Sequence, residues 1–261
     1  GFFERIGRST SHVFREYITS YVSLASEITY WSAADLFRRG SRRKGEVANQ
    51  SVLMGVNASF IVGAMAFIIG LVLALQSSAQ LRMFGANIFI VDLTVIAMMS
   101  EMGPLITAIL VAGRSGSSIA AEIATMKVTS ETDALTTMGM RPLRFVVVPK
   151  LYAGMITMPF LVIIADIMGI LGGMVIATVN LDISPQVFIN RMRETLYLRD
   201  IIYGIIKSGV FAYIIVITGS YYGFRVTKGP AGVGKVTTQA VVVAIALVIV
   251  ADSIMGLLFY R

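Results

Sequence analysis

The sequence predicts an all-α polytopic membrane protein, with five transmembrane helices, an N-terminal interfacial amphipathic helix and a cytoplasmic helical hairpin. Three observations lead there. Of 261 residues, 56% are hydrophobic and only 14% charged, where soluble domains carry about 25% charged residues. Apolar stretches recur at the ~20-residue length that crosses a ~30 Å hydrocarbon core. Lys and Arg gather on alternate connections, the signature of membrane topology. The whole chain, 1–261, reads as one domain.

Residues 1–50 come first. Phe14, Tyr17, Ile18, Tyr21, Leu24, Ile28 and Trp31 recur every three or four residues, among Arg15, Glu16 and Glu27. That makes one apolar stripe on a charged helix, which fits a helix lying in the interface; the alternative is a helix packed on the spans. "FRRGSRRKG" follows as a basic turn suited to anionic lipid. Spans are predicted at 52–75, 88–112, 155–179, 201–222 and 236–259. The third apolar stretch, 145–179, is too long for one untilted span. It divides into a cytoplasmic lead-in and a span kinked at Pro159. Residues 182–200 predict a short outer helix that starts after Ser184 with Pro185 at its first position. Its Val187, Phe188 and Met192 have the spacing to pack on a membrane or partner; the equal alternative is an ordinary connector.

Basic residues precede span one (Arg5, Arg8, Arg15, Arg38, Arg39, Arg42, Arg43, Lys44). Others lie between spans two and three (Arg114, Lys127, Arg141, Arg144, Lys150) and between four and five (Arg225, Lys228, Lys235). The other connections hold Arg82, and Arg191, Arg193 and Arg199. The N-terminus is therefore expected in the cytoplasm and the C-terminus outside.

The 113–142 connection is ordered in pattern. Arg114 ends span two, and the small residues 115–118 suit a helix cap. Ile119, Ile123 and Met126 follow at helical spacing. "KVTS" breaks the helix, and Ser130 with Asp133 resembles a capping box. Ala134, Leu135 and Met138 form one face, Gly139 suits the C-terminal cap, and Pro142 stops the helix. The hairpin's apolar ridges are narrow, with Glu122, Lys127 and Glu131 on the rims, and such a ridge fits a groove in a soluble partner. The alternative is a hairpin folded back on its own spans.

Several function classes fall away. With no cysteine there is no disulfide, thiolate metal site or cysteine nucleophile. The single histidine, His12, lies in the polar N-terminal region and cannot build a metal cluster. The net charge of +7 reflects the positive-inside bias rather than nucleic acid. "GFFERIGRST" lacks the apolar run and cleavage site of a signal peptide. "GPAGVGKVT" at 229–237 imitates a phosphate loop, but Val236 replaces the Ser/Thr and no strand precedes it. It reads as a Gly-rich cytoplasmic turn, with "KVTT" capping span five.

Charges inside spans are costly, so those present need a reason. Glu101 lies near mid-depth of span two. Asp166 and Asp252 fall in spans three and five. Lys207 sits about two turns into span four, able to snorkel or to pair with Asp166 or Asp252. The functional reading is a polar patch that meets a substrate's polar end; the structural one is a buried salt bridge. "GILGG" (169–173) and Gly219 with Gly223 offer flat faces for close helix packing.

The stretch "EMGPLITAILVAGRSGSSIAAEIATMKVTSETDALTTMGMRPLRFVVVPKLYAG" (101–154) closely resembles the signature of the MlaE/YrbE permease family, membrane subunits of MCE-associated ABC transporters. "GLVLALQ" (70–76), "GPAGVGKVTTQAVV" and Asp252 resemble the same family, so the likeness runs from about Gly55 to the end. It implies a homodimer in a bacterial inner membrane or plastid inner envelope. It also implies cytoplasmic ATPase subunits docked on the hairpin and an outer MCE-domain protein. The cargo is phospholipid or a related hydrophobic molecule, and no cofactor sits on this chain, ATP and Mg being held by the ATPase. Carried over, the lipid cavity is lined by Leu73, Gln76, Leu81, Phe84 and Glu101. The coupling surface is built from Arg114, Glu122, Lys127, Glu131 and Asp133. Ser100 stands where the family often has Arg, a departure that bears on headgroup contacts. The residues alone leave two other readings open: an ion-coupled secondary carrier, and a scaffold for an outer assembly.

Overall fold

The computed structural model describes residues 2–37, 45–227 and 229–259, with side chains described from residue 16 onward and not for 36–37. The basic turn at 38–44, Lys228 and the side chains of His12 and Phe14 lie outside the described residues. The described chain is helical: α1 Phe2–Phe37, α2 Glu46–Met83, α3 Phe89–Val128, α4 Glu131–Thr137, α5 Leu143–Leu181, α6 Pro185–Thr195, α7 Leu198–Phe224 and α8 Gly229–Phe259. Five of these, α2, α3, α5, α7 and α8, are long and apolar enough to cross a membrane.

The helices outrun the predicted spans, and two breaks expected from sequence are absent. α3 runs straight through 115–118 as a π-helical turn, Ala112–Gly116, into Ser117–Val128. The small residues there cap nothing. They let the helix pack: a side chain at Gly116 would meet Ile215 at 3.2 Å, and one at Gly219 would meet the Gly116 carbonyl at 2.9 Å. The Gly-rich 229–237 segment is no turn either, because it forms the first turns of α8. A phosphate loop needs an open strand-to-helix turn, and a continuous helix provides none. α5 is likewise unbroken: a π-helical turn, Leu143–Val147, leads into regular helix with Pro149 near its start and Pro159 inside it.

Glycines set how closely the spans pack. A Cβ on Gly70 of α2 would lie 1.9 Å from the Gly169 carbonyl of α5, and one on Gly172 would lie 2.2 Å from the Phe67 carbonyl. Gly173 admits the Thr94 methyl of α3 in the same way. The "GILGG" run is therefore an intrachain seam, and Gly223 plays the same part against Ile123. Close backbone approach is how helices gain dispersion contacts when lipid supplies no hydrophobic drive.

The connecting helices are held by polar locks. Ser184 caps α6 through Val187 N–H, with Pro185 next. Arg191 of α6 grips Asp92 of α3 at 2.8 and 2.6 Å. Phe188 is buried and Met192 packs beside it, while Val187 stays exposed. α1 crosses the positive-side ends of α5 and α7. There Asp35 receives Arg144 Nε at 3.0 Å, Tyr21 and Thr218 share a hydrogen bond of 3.0 Å, and Tyr152 Oη donates to the Ser32 carbonyl. Ile28 is buried on that face. Tyr17, Ile18, Val22 and Tyr30 remain exposed, an apolar complement for an interfacial position.

Gly70→Ala is expected to force α2 off α5 and to cost about 3 kcal/mol or more, since the obstructing atom is backbone. Gly113→Ala, where a Cβ meets nothing within 4 Å, is the matched control. Thermal unfolding of the detergent-solubilised protein compares them; equal melting temperatures would refute the seam.

Candidate functional site

The site grows from a proline. Pro104 has no N–H, so the Ser100 carbonyl four residues earlier loses its helical donor. Around it, Met98–Met102 forms a π-helical turn, a feature that re-aims side chains within a helix. Lys207 of α7 fills the vacancy, its Nζ donating to the Ser100 carbonyl at 3.0 Å. The ammonium also meets Glu101 Oε2 at 2.7 Å and Asp252 Oδ1 of α8 at 2.8 Å. Asp252 Oδ1 is held by charge rather than by an aligned hydrogen bond. One cluster thus joins α3, α7 and α8.

Two glycines admit it. A Cβ on Gly204 would lie 2.9 Å from the Met99 carbonyl, so α7 rests directly on the π turn. Gly256 of α8 lies beside the Glu101 carboxylate, its Cβ position 3.4 Å from Oε1. At ~1.5 Å per residue, Glu101, Lys207 and Asp252 sit roughly 18, 14 and 10 Å from the outer-side ends of their helices. Pairing at matching depth is what hydrocarbon demands of a charged group.

Lys207 is wholly buried, so it does not snorkel; its aliphatic stem is enclosed by packed helices and its head by two acids. Nor does it pair with Asp166. That carboxylate lies apart on α5, where Oδ1 fills the space a side chain at Gly103 would need, 1.8 Å from the Cβ position. Asp166 Oδ1 has no hydrogen-bond partner among the described residues. Within the cluster the members differ in access: side-chain exposure is 0% for Lys207, 12% for Asp252 and 33% for Glu101. Glu101 is therefore the face that the cluster turns outward. One ammonium stands against two carboxylates, which gives the group an acidic balance.

The other cavity candidates spread along the outer half of α2 and beyond it. Leu73 packs against the main core and Leu81 against the cluster under α6, whereas Gln76 and Phe84 are exposed. The principal cavities of the single chain are lined by other residues.

The hairpin candidates divide in two. Arg114 donates to the Leu53 carbonyl at 3.2 Å, and Lys127 to the Phe224 carbonyl at 2.7 Å. Glu122 binds the buried Lys150 at 2.7 Å. These three tie the hairpin to its own spans. The Ile119–Ile123 ridge also faces inward: both residues are buried against α5 and α7, with Met126 packed beside them. Of the hairpin's two apolar ridges this one is spent on the protein's own core, which fits the alternative of a hairpin folded back on its spans. Arg114, Glu122 and Lys127 are exposed yet bonded inward; outward without such ties is α4, with exposed Glu131, Asp133 and Met138. Its ends differ from the predicted capping. Ser130 holds φ 61° and caps with no side-chain bond, while Glu131 accepts from Thr129 Oγ1 at 3.0 Å. Gly139, at φ 76°, closes the helix as expected: its N–H reaches Thr136 and that of Met140 reaches Leu135.

Five apolar spans, a paired charge cluster inside them and an ordered hairpin on the basic side define a multi-pass membrane protein. The chain belongs to the MlaE permease family, whose family model, described as Permease MlaE, matches residues 47–258. It is 38% identical over 215 residues to a probable ABC transporter permease protein of Rickettsia felis, covering 82% of this chain and 83% of that one. It is 32% identical over 215 residues to the intermembrane phospholipid transport system permease protein MlaE of Haemophilus influenzae, with 82% of each covered. A chloroplastic protein of Arabidopsis thaliana, trigalactosyldiacylglycerol 1, is 31% identical over 193 residues, 74% of this chain and 55% of that one. The chain is thus an ABC transporter permease of the inner membrane, with ATP hydrolysis on a partner subunit.

Lys207→Met is expected to cost about 3–5 kcal/mol by leaving the buried Asp252 and the partly open Glu101 without their cation. Adding Glu101→Gln and Asp252→Asn should recover most of the loss. A melting-temperature comparison tests this; no recovery in the triple variant would mean that the cluster is not an energetic unit.

Proposed function

We propose that two copies of this chain form the membrane core of a lipid transporter that moves phospholipid, or a related hydrophobic molecule, between envelope membranes. The observation that carries the reading is Glu101: an acid held within the spans by a buried lysine, yet with a third of its side chain open. A purely structural ion pair has no need of an open acid. An amphiphile's polar end would meet Glu101 and Gln76, and its acyl chains Leu73, Leu81 and Phe84. The exposed apolar faces support closure by a second copy: only 17% of the most apolar stretch of α8 is buried, and 33% of that of α2. An outer MCE-domain ring would receive the lipid, consistent with the family resemblance.

Drive comes from ATPases on the cytoplasmic side, which hold the ATP and Mg; no cofactor is assigned to this chain. They would dock on α4, where Glu131, Asp133 and Met138 are outward. The hairpin's first helix is continuous with α3, which carries Glu101. A push on α4 therefore has a rigid route to the cluster through one helix. Such a push changes transport only if the lipid binds the two states differently.

Gln76→Ala and Phe84→Ala should lower co-purified lipid severalfold with no change in melting temperature, because both side chains are exposed. Glu101→Ala should lower both lipid and transport. Unchanged lipid content in all three variants would remove this site. Separately, Asp133→Lys combined with Met138→Asp should reduce ATPase co-purification at least tenfold while leaving the fold intact. Glu122→Gln should do the reverse, lowering stability through Lys150 while retaining the ATPase. Full ATPase recovery with the α4 variant would refute this docking surface.

A further inference from the structure

Two cavities on the opposite half of the molecule from the Glu101 cluster lie along one seam. The first, of about 350 Å³, opens on the basic side where α1, the end of the hairpin and the starts of α2 and α5 meet. Trp31 stands in it between two guanidinium groups: Arg141 Cζ lies 4.7 Å from the ring centroid and Arg144 Cζ 4.8 Å. Arg144 is neutralised by Asp35. Among the described residues Arg141 has no carboxylate partner, so the cavity carries one uncompensated positive charge. The second cavity, of about 380 Å³, is an almost wholly apolar groove between α2 and α5, lined by Val56, Ser59, Phe160 and Ile164 among others.

Helical periodicity joins them. On α5, Pro149 and Tyr152 line the first cavity and Phe160 and Ile164 the second, with exposed Ile156 between them. Steps of three and four residues keep all five on one stripe. On α2, Val47 lines the first cavity, and Ser51, Val56 and Ser59 the second. Their one five-residue step falls where Val52–Val56 is π-helical, which restores the stripe. From Tyr152 to Ile164 the groove rises roughly 18 Å, about half the thickness of a ~30 Å hydrocarbon core. The first cavity thus sits at headgroup level and the second at acyl level of the same leaflet. Trp and Tyr are the residues that favour that level, and basic pockets between cytoplasmic helix ends suit anionic headgroups.

We propose that this seam binds an anionic phospholipid of the cytoplasmic leaflet, its phosphate on Arg141 beside Trp31 and one acyl chain in the α2–α5 groove. The site is separate from the Glu101 cluster and requires neither an ATPase nor transport, so it stands or falls independently of the transport reading. Occupancy would brace α1 against α5 and set the base from which the hairpin extends.

Trp31 is the chain's single tryptophan and reports directly on its neighbours. The full chain is reconstituted in phosphatidylcholine vesicles containing a minor fraction of acyl-brominated phosphatidylglycerol or, in parallel, acyl-brominated phosphatidylcholine. Brominated phosphatidylglycerol should quench Trp31 with about fivefold preference, as expected of one basic residue near an anionic headgroup. Arg141→Gln should abolish the preference, Arg141→Lys retain most of it, and Ser59→Leu, which fills the groove, weaken quenching by both lipids. Lys235→Gln, an equal loss of charge elsewhere on the basic side, should leave the preference intact. Equal quenching by the two lipids, equal loss in Lys235→Gln, or relief of quenching by millimolar inorganic phosphate would each overturn the proposal, the last by showing a site for free anions.

Discussion

A lysine enclosed among membrane-spanning helices must have its charge met there, because hydrocarbon offers it nothing. Lys207 is that constraint here. Its two acids come from different helices and its third partner is a backbone carbonyl, so α3, α7 and α8 must converge at one depth. The remaining features of that half follow. Pro104 frees the carbonyl, Gly204 lets α7 approach it, and the π turn directs Glu101 toward the ammonium while leaving part of it open. Replacing such a cluster with apolar residues can be neutral for stability. Its retention of an accessible acid therefore argues for use of the acid rather than for packing alone.

The other half is organised mainly by close contact, with Arg82 of α2 donating to the Asn180 carbonyl at the outer end of α5. Gly70, Gly169 and Gly172 bring α2 and α5 to backbone distance, with no polar side chain involved. Such a seam is rigid where the helices touch and leaves a groove wherever larger side chains part them, as at Ser59 and Phe160. The chain thus pairs a polar, multi-helix junction toward the outer side with an apolar, two-helix seam. α3 belongs to both: Met98 and Thr94 fill the space at Gly169 and Gly173, and Glu101 lies one turn further on.

Much of this was legible in the sequence because hydrocarbon simplifies the code. Span number, the outer helix with its Ser184–Pro185 start, the Gly139 cap and the small-residue faces follow from local pattern. The charged residues of the cluster were legible as anomalies, but their partnering was not. For Lys207 the sequence offered Asp166 or Asp252; Glu101, its second partner, is set by the crossing of α3 with α7. The local signal was Pro104, three residues after Glu101: a missing N–H marks a carbonyl in want of a donor. Breaks were overread for a related reason. Small residues at 115–118 and glycines at 229–234 mark turns in water, but here both stretches are helical, and Gly116 serves close contact with α7.

The hairpin shows how burial alters the meaning of a motif. Its most apolar ridge looks like a docking surface when only the sequence is considered, since no internal partner is visible. The structure spends that ridge on α5 and α7, and adds Arg114, Glu122 and Lys127 as fasteners. A hairpin bound so firmly to its own spans transmits force better than one held by a flexible turn, for displacement of α4 must move α3 or break those contacts. Rigidity toward the membrane, with an exposed acidic tip on α4, is what the proposed mechanical connection to a soluble motor requires.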